Sequence, residues 1–192
     1  MADGKLAIQS FVNRSEWEAW LDANHLSSRG LWIRFAKKAS GHASVSHPDA
    51  LESALCYGWI DGQTDTDDES WWLQKFSPRG RRSIWSKINC EKVEELTKRG
   101  LMKPPGLKAA TQAKEDGRWD AAYDSVRGSV VPDDLQSALD KSPKAKAFFG
   151  TLNSKNRYAV LFRIQTAKKA ETRAKRIAQF VGMLERHELI YP

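Results

Sequence analysis

Apolar positions along this chain change spacing several times, and each change predicts an element. Leu6, Ile8 and Phe11 suggest a short opening strand. Ser15-Glu-Trp-Glu18 has the form of a capping box, and Trp17, Trp20 and Leu21 follow at helical spacing, so a helix docked through its indoles is predicted. After Gly30, the residues Leu31, Ile33 and Phe35 alternate with period two and predict a strand. Ser46 suits an N-cap with Pro48 in the first turn, and Leu51, Ala54 and Leu55 form the buried stripe of a helix stopped by Gly58. Ile60 enters a short strand, and the polar run from Asp61 to Asp68 reads as a loop. Ser70 to Phe76 and Arg81 to Ile88 read as two strands joined by the turn residues Ser77-Pro-Arg-Gly80.

Beyond Cys90 the period is helical throughout. Helices are expected over 91–99, 106–115, 132–140, 143–152, 155–166 and 169–187. In the last, Ala174, Ile177, Val181 and Leu184 share one face. The fold class is therefore α+β: a small mixed or antiparallel sheet with helices, followed by a C-terminal helical bundle. Two domains are expected: a Trp-rich part over 1–128, and a basic helical module over 129–192 that packs on it.

Composition sharpens that division. All eight Trp lie between Trp17 and Trp119. Residues 141–186 hold twelve Lys/Arg against Glu171 and Glu185, a net of +10, while the rest of the chain nets −3. Apolar content of 41% with 29% charged residues fits a soluble globular protein. No apolar run approaches the ~20 residues of a membrane helix. The opening residues lack the basic and apolar regions of a leader, and Cys56 and Cys90 make no disulfide framework, so a reducing cytoplasm is the expected compartment.

Unusual residues concentrate between Ala54 and Asn89: Ala54-Leu-Cys-Tyr-Gly-Trp-Ile-Asp-Gly62, Phe76-Ser-Pro-Arg79, and Ser83-Ile-Trp-Ser86 with Asn89. Together with Ala113-Lys-Glu-Asp-Gly-Arg-Trp119 and Glu171-Thr-Arg-Ala-Lys-Arg-Ile177, they make the chain resemble the YdeI/OmpD-associated family, whose members are also called bacteriocin-protection proteins. The match extends over nearly the whole chain, with Lys75 standing where Arg is expected. The resemblance implies association and protection phenotypes and implies no catalytic residue, cofactor or substrate.

The cluster itself suggests an anion site. If Arg81 to Ile88 is a strand, Arg81, Ser83, Trp85 and Lys87 share a face: two cations, a hydroxyl and an indole. Arg79 adds a bidentate grip, Trp59 a wall, and Asp61 a partner for Arg79 or a ligand proton. The candidate ligand-binding set is thus Trp59, Asp61, Arg79, Arg81, Ser83, Trp85 and Lys87. Ahead of this reading stands a structural one, a buried Asp61–Arg79 pair among core indoles with Trp59 and Trp85 as core residues, and catalysis comes third.

Other signatures are missing. There is no nucleophile elbow, Walker loop, dinucleotide loop or zinc-protease motif. Cys56 and Cys90 read as inert core thiols, His42 and His47 as loop residues without partner ligands, and the acids from Asp61 to Glu69 as solvated, so no metal and no cofactor are expected. Lys168, Lys169, Arg173, Lys175 and Arg176 form a candidate weak anionic-surface contact, without the side chains of specific DNA readout. A binding or stress-protection protein with a small anionic ligand is the leading expectation. The alternatives are an enzyme on an anionic metabolite using Asp61, Arg79 and Ser83, and a nucleic-acid or anionic-surface binder working through 163–176.

Overall fold

The computed structural model describes residues 6–126 and 128–192. Residues 1–5, on which the expectation of no leader partly rests, lie outside them. The chain divides into two compact units, one formed by 1–85 with 89–121 and the other by 86–88 with 122–192.

The first unit holds a four-stranded mixed sheet of order β1-β2-β4-β3. Its strands are β1 (Ile8–Gln9), β2 (Leu31–Ala36), β3 (Trp59–Thr66) and β4 (Trp71–Pro78). β1 runs parallel to β2, and the other pairings are antiparallel. Leu31, Ile33 and Phe35 are buried while their neighbours are half-exposed, the alternation a sheet with one covered face demands. Its helices are α1 (Arg14–Asn24), α2 (His47–Cys56), all of α3 (Lys87–Lys98) except Lys87 and Ile88, which belong to the second unit, and α4 (Pro104–Glu115).

Trp17 and Leu21 bury α1, and the Trp17 indole N–H donates to Ala50 O on α2 at 3.0 Å. Around them Phe11, Trp20, Trp59 and Phe76 form a tilted aromatic cluster with ring centroids 5.1–6.4 Å apart. Edge-on packing of this kind adds to simple burial because ring edges and faces carry opposite partial charge. α2 and α4 meet at Gly106, where a Cβ would fall 2.2 Å from Cys56 O. Only glycine permits that approach.

The second unit is helical: α5 (Asp133–Asp140), α6 (Pro143–Thr151), α7 (Ser154–Gln165) and α8 (Ala170–Glu185). Its core is mostly aliphatic, built on Leu135, Leu139, Val160, Leu161, Ile164, Ile177 and Leu184 with Phe149 and Phe180. Ser142 caps α6 by accepting from Ala145 N–H and donates to Glu185 at 2.6 Å.

Three local expectations are corrected. The N-cap of α1 is Asn13, whose side chain accepts from Glu16 N–H while Glu16 accepts from Val12 N–H. The box therefore sits two residues earlier than Ser15–Glu18. The polar stretch after Asp61 is mostly strand, because its backbone pairs with β4 while its side chains face water. Arg81 to Ile88 is not a strand: it runs through a turn closed by Ser83 N–H on Gly80 O, and α3 begins at Lys87. Its parity argument, which put Arg81, Ser83, Trp85 and Lys87 on one face, falls with it.

Candidate functional site

The conspicuous sequence cluster resolves into two different places. One is packed. Arg79 follows the end of β4, and its N–H donates to Gly58 O at 2.9 Å, which holds the turn. Its guanidinium lies 3.5 Å from the centroid of the Trp85 ring. Trp85 in turn meets Trp119 at 4.9 Å, and Lys114 Nζ lies 4.7 Å from the Trp119 ring. The result is a cation–indole–indole–cation stack joining two motifs 34 residues apart. Arg118 braces it, forked onto Asp116 with its other amine donating to Ser83 O at 3.0 Å. Trp85 is 2% exposed and Trp59 1%, so both serve as core. Trp59 donates its indole N–H to His25 O at 3.2 Å.

The other candidates scatter. Arg81 is exposed, Ser83 Oγ accepts the Gly80 N–H at 3.0 Å, and Lys87 pairs with Asp124 at 2.6 Å. That pairing and the Gln165 amide hold the Asp124 carboxyl below the usual carboxylate range, the lysine having the larger effect.

The second place is open, and Asp61 leads to it. Between Asp61 and Thr64 the β3 register advances three residues against two on β4. This bulge is pinned by buried Gln74, which donates to Gly62 O at 2.8 Å. Bulges of this kind re-aim side chains. Asp61 Oδ2 lies 3.2 Å from His47 Nε2, on the first residue of α2. The Asp61 contact is thus with histidine, while Arg79 lies over Trp85.

His47 lines a cleft of about 720 Å³ together with Phe35, Trp72, Lys38, His42 and Ser44. Phe35 and Trp72 stack at 4.8 Å and form its aromatic wall. Lys38 is exposed at the rim, whereas Lys37 spends its ammonium on Asp68 O at 2.8 Å. With Nε2–H donating to Asp61, Nδ1 meets a ligand as an acceptor in the neutral ring and as an N–H donor in the imidazolium. The capped N-terminus of α2, with Asp49 in its first turn, lies beside His47.

Sequence reasoning set His47 aside as a loop residue. The signal that locates it is tertiary, since α2 crosses β3 and brings together side chains 14 residues apart. Asp67 and Asp68 also have a protein partner, as Arg34 bridges both. Among the described residues no group of three or more His, Cys, Asp or Glu could hold a metal ion. Burial pushes the Cys56 and Cys90 thiols up to about 11, so neither is a ready nucleophile.

In the helical unit the five predicted cations part ways. Arg173 is forked onto Asp134 at 2.5 and 2.8 Å and donates to Ile164 O at 3.0 Å. Arg176 donates to Arg163 O. Both arginines therefore cap the C-terminal carbonyls of α7, where the helix dipole favours positive charge. Lys168, Lys169 and Lys175 remain exposed. No helix among the described residues is long and apolar enough to cross a membrane.

Residues 9–109 match the family model described as Domain of unknown function (DUF8412), and residues 129–187 match that described as Bacteriocin-protection, YdeI or OmpD-Associated. The motifs around Asp61, Arg79 and Trp85 fall within the first of these, and the Arg173–Arg176 segment within the second. No curated protein and no solved structure matches the chain significantly. The chain belongs to the DUF8412 family through its sheet-bearing region, and its helical module matches the model of the YdeI/OmpD-associated, bacteriocin-protection family.

Proposed function

We propose that the protein is a cytoplasmic binding protein for a small anionic ligand, taken into the cleft at His47, and that protection is exercised through this binding. The observation that carries the reading is the Asp61–His47 pair on a cleft walled by Phe35 and Trp72. Lys38 supplies charge at the rim, His47 as imidazolium donates Nδ1–H to the anion while its Nε2–H stays on Asp61, and the aromatic wall takes the apolar part of the ligand. The family description supports the reading in that it names protection and association, not a reaction.

Benzoate and inorganic phosphate are suitable probes, read by thermal unfolding of the full chain. A ligand at a hundredfold excess over its Kd stabilises by about 2.7 kcal/mol. Wild type should gain stability with benzoate, and His47→Ala and Lys38→Ala should lose that gain. Arg81→Ala and Ser83→Ala should keep it. Equal gains in wild type and His47→Ala would place binding elsewhere.

The same Asp–His pair favours a second reading, proton transfer to or from a bound ligand. In that case Asp61→Asn should leave benzoate binding nearly intact and change its pH dependence, because the asparagine no longer holds the imidazole proton in place.

A further inference from the structure

A separate cleft of about 520 Å³ lies in the helical unit. Lys155, Tyr158, Phe162 and Arg163 of α7 line it, spaced so that they share one helical face. Val126 and Tyr191 complete it, 52% and 38% exposed. Exposed apolar and aromatic residues grouped at a concavity are the usual mark of a binding surface.

Tyr191 is held in place by a buried amide. Asn156 is 1% exposed, and its side chain accepts from Ile190 N–H at 3.0 Å and Tyr191 N–H at 2.9 Å and donates to Tyr191 O at 2.9 Å. A buried amide thus fixes the backbone of a partly exposed ring. Such preorganisation lowers the ordering cost of binding.

Charge then names the ligand class. Lys155 Nζ lies 4.5 Å and Arg163 Cζ 5.7 Å from the Tyr191 ring centroid. Arg163 also donates to Ala159 O at 3.1 Å. Neither cation has a carboxylate in ion-pair range among the described residues, in contrast to Arg173 and Lys87. Asp124, whose carbonyl accepts from Tyr158 Oη at 3.1 Å, spends its carboxylate on Lys87 and Gln165. The cleft therefore offers aromatic faces and two unneutralised cations.

We infer that this cleft binds a nucleotide, its base against the Tyr191, Phe162 and Tyr158 rings and its phosphate against Lys155 and Arg163. Free nucleotides and single-stranded nucleic acid share this chemistry, since stacking tolerates any base and cations track phosphate. The site is distinct from the cleft at His47, and its residues differ from the Lys168–Arg176 set read from sequence.

The test is calorimetric titration of the full chain with adenosine 5′-monophosphate, adenosine and a short single-stranded oligoadenylate. Adenosine 5′-monophosphate should bind, and adenosine should bind at least about tenfold more weakly for want of the phosphate. Tyr191→Ala should weaken the monophosphate about tenfold or more, as expected for one lost stacking partner. Tyr191→Phe should restore it, which a merely structural role of the hydroxyl would not allow. Lys155→Gln should weaken it and flatten its salt dependence. Tighter binding of the oligoadenylate than of the monophosphate assigns the site to a strand; equal or weaker binding assigns it to the free nucleotide. His47→Ala should change none of these values. Failure of both phosphate-bearing probes to bind, or binding equal in wild type and Tyr191→Ala, would overturn the inference.

Discussion

Two cation–aromatic groupings, one in each unit, use the same side-chain types to opposite ends. Arg79, Trp85, Trp119 and Lys114 form a stack whose central indole is 2% exposed. Lys155, Arg163 and Tyr191 form one whose ring is 38% exposed beside an open cleft. In the first, the central indole is buried between Arg79 and a tilted Trp119, so the grouping fastens two motifs together. In the second, Lys155 and Arg163 lie near the Tyr191 ring, which stays partly exposed, and neither cation has a carboxylate in ion-pair range among the described residues. Residue type alone does not separate these roles; the packing around the ring does.

The largest effect that would sharpen this contrast is on stability. Trp85→Ala should cost about 3–5 kcal/mol, the range for deleting a buried aromatic. Tyr191→Ala should stay within about 0.5 kcal/mol, as for other surface changes. Urea unfolding of both variants measures the difference. Comparable losses would erase the distinction between a fastening and a presenting stack.

A smaller effect is expected at Arg79. Arg79→Met keeps apolar bulk and removes the charge over Trp85, and it should cost about 1–2 kcal/mol, the scale of a desolvated cation–π contact. A cost near zero would mean that Trp85 is held by Trp119 and its other neighbours alone. In the helical unit, Arg173→Ala removes the fork to Asp134 and the cap on Ile164 O. It should cost about 1 kcal/mol, against a negligible change for exposed Lys175→Ala. Equal effects would mean that the basic segment is a uniform solvated face.

Acid titration tests the same unit. Hydrogen bonds from Lys87 to Asp124 and from Arg173 to Asp134 lower both carboxyls below their ordinary value. A carboxyl lowered in the folded state contributes fully above its unfolded pKa, about 3.9, and loses that contribution as pH falls through the folded value. Stability of the helical unit should therefore hold from neutral pH to about 4 and then decline. Asp124→Asn should remove part of that decline, because its side chain no longer titrates. An unchanged decline would assign acid sensitivity to other groups.

Much of the architecture was legible because it is written locally. Ser46 with Pro48, the alternation of Leu31, Ile33 and Phe35, and the glycines closing successive helices all specify structure within a few residues. The misread segments are those decided at a distance. Ser83 to Ile88 alternates like a strand, yet Trp85 is drawn to Trp119, a contact no local pattern carries. The run after Asp61 looks like a loop because both sides of it face water, while β4 supplies its backbone partners. Asn13 outcompetes Ser15 as the cap although both begin plausible boxes, and asparagine is at least as good a cap. The candidate site shows the same limit. Asp61 was visible as an unusual carboxyl, but its partner His47 lies across the α2–β3 packing. Trp59 and Trp85 drew attention by their rarity, and that rarity reflects core packing.

The ligand site proposed for the sheet-bearing unit is the cleft at His47 and not the packed Arg79–Trp85 cluster. Indole N–H signals in a nitrogen–proton correlation spectrum test it directly, because every Trp lies at or before Trp119 and each reports its own surroundings. On titration with benzoate, the Trp72 signal should move while those of Trp59 and Trp85 stay, and His47→Ala should abolish the movement. Movement of Trp85 with Trp72 unchanged would contradict it.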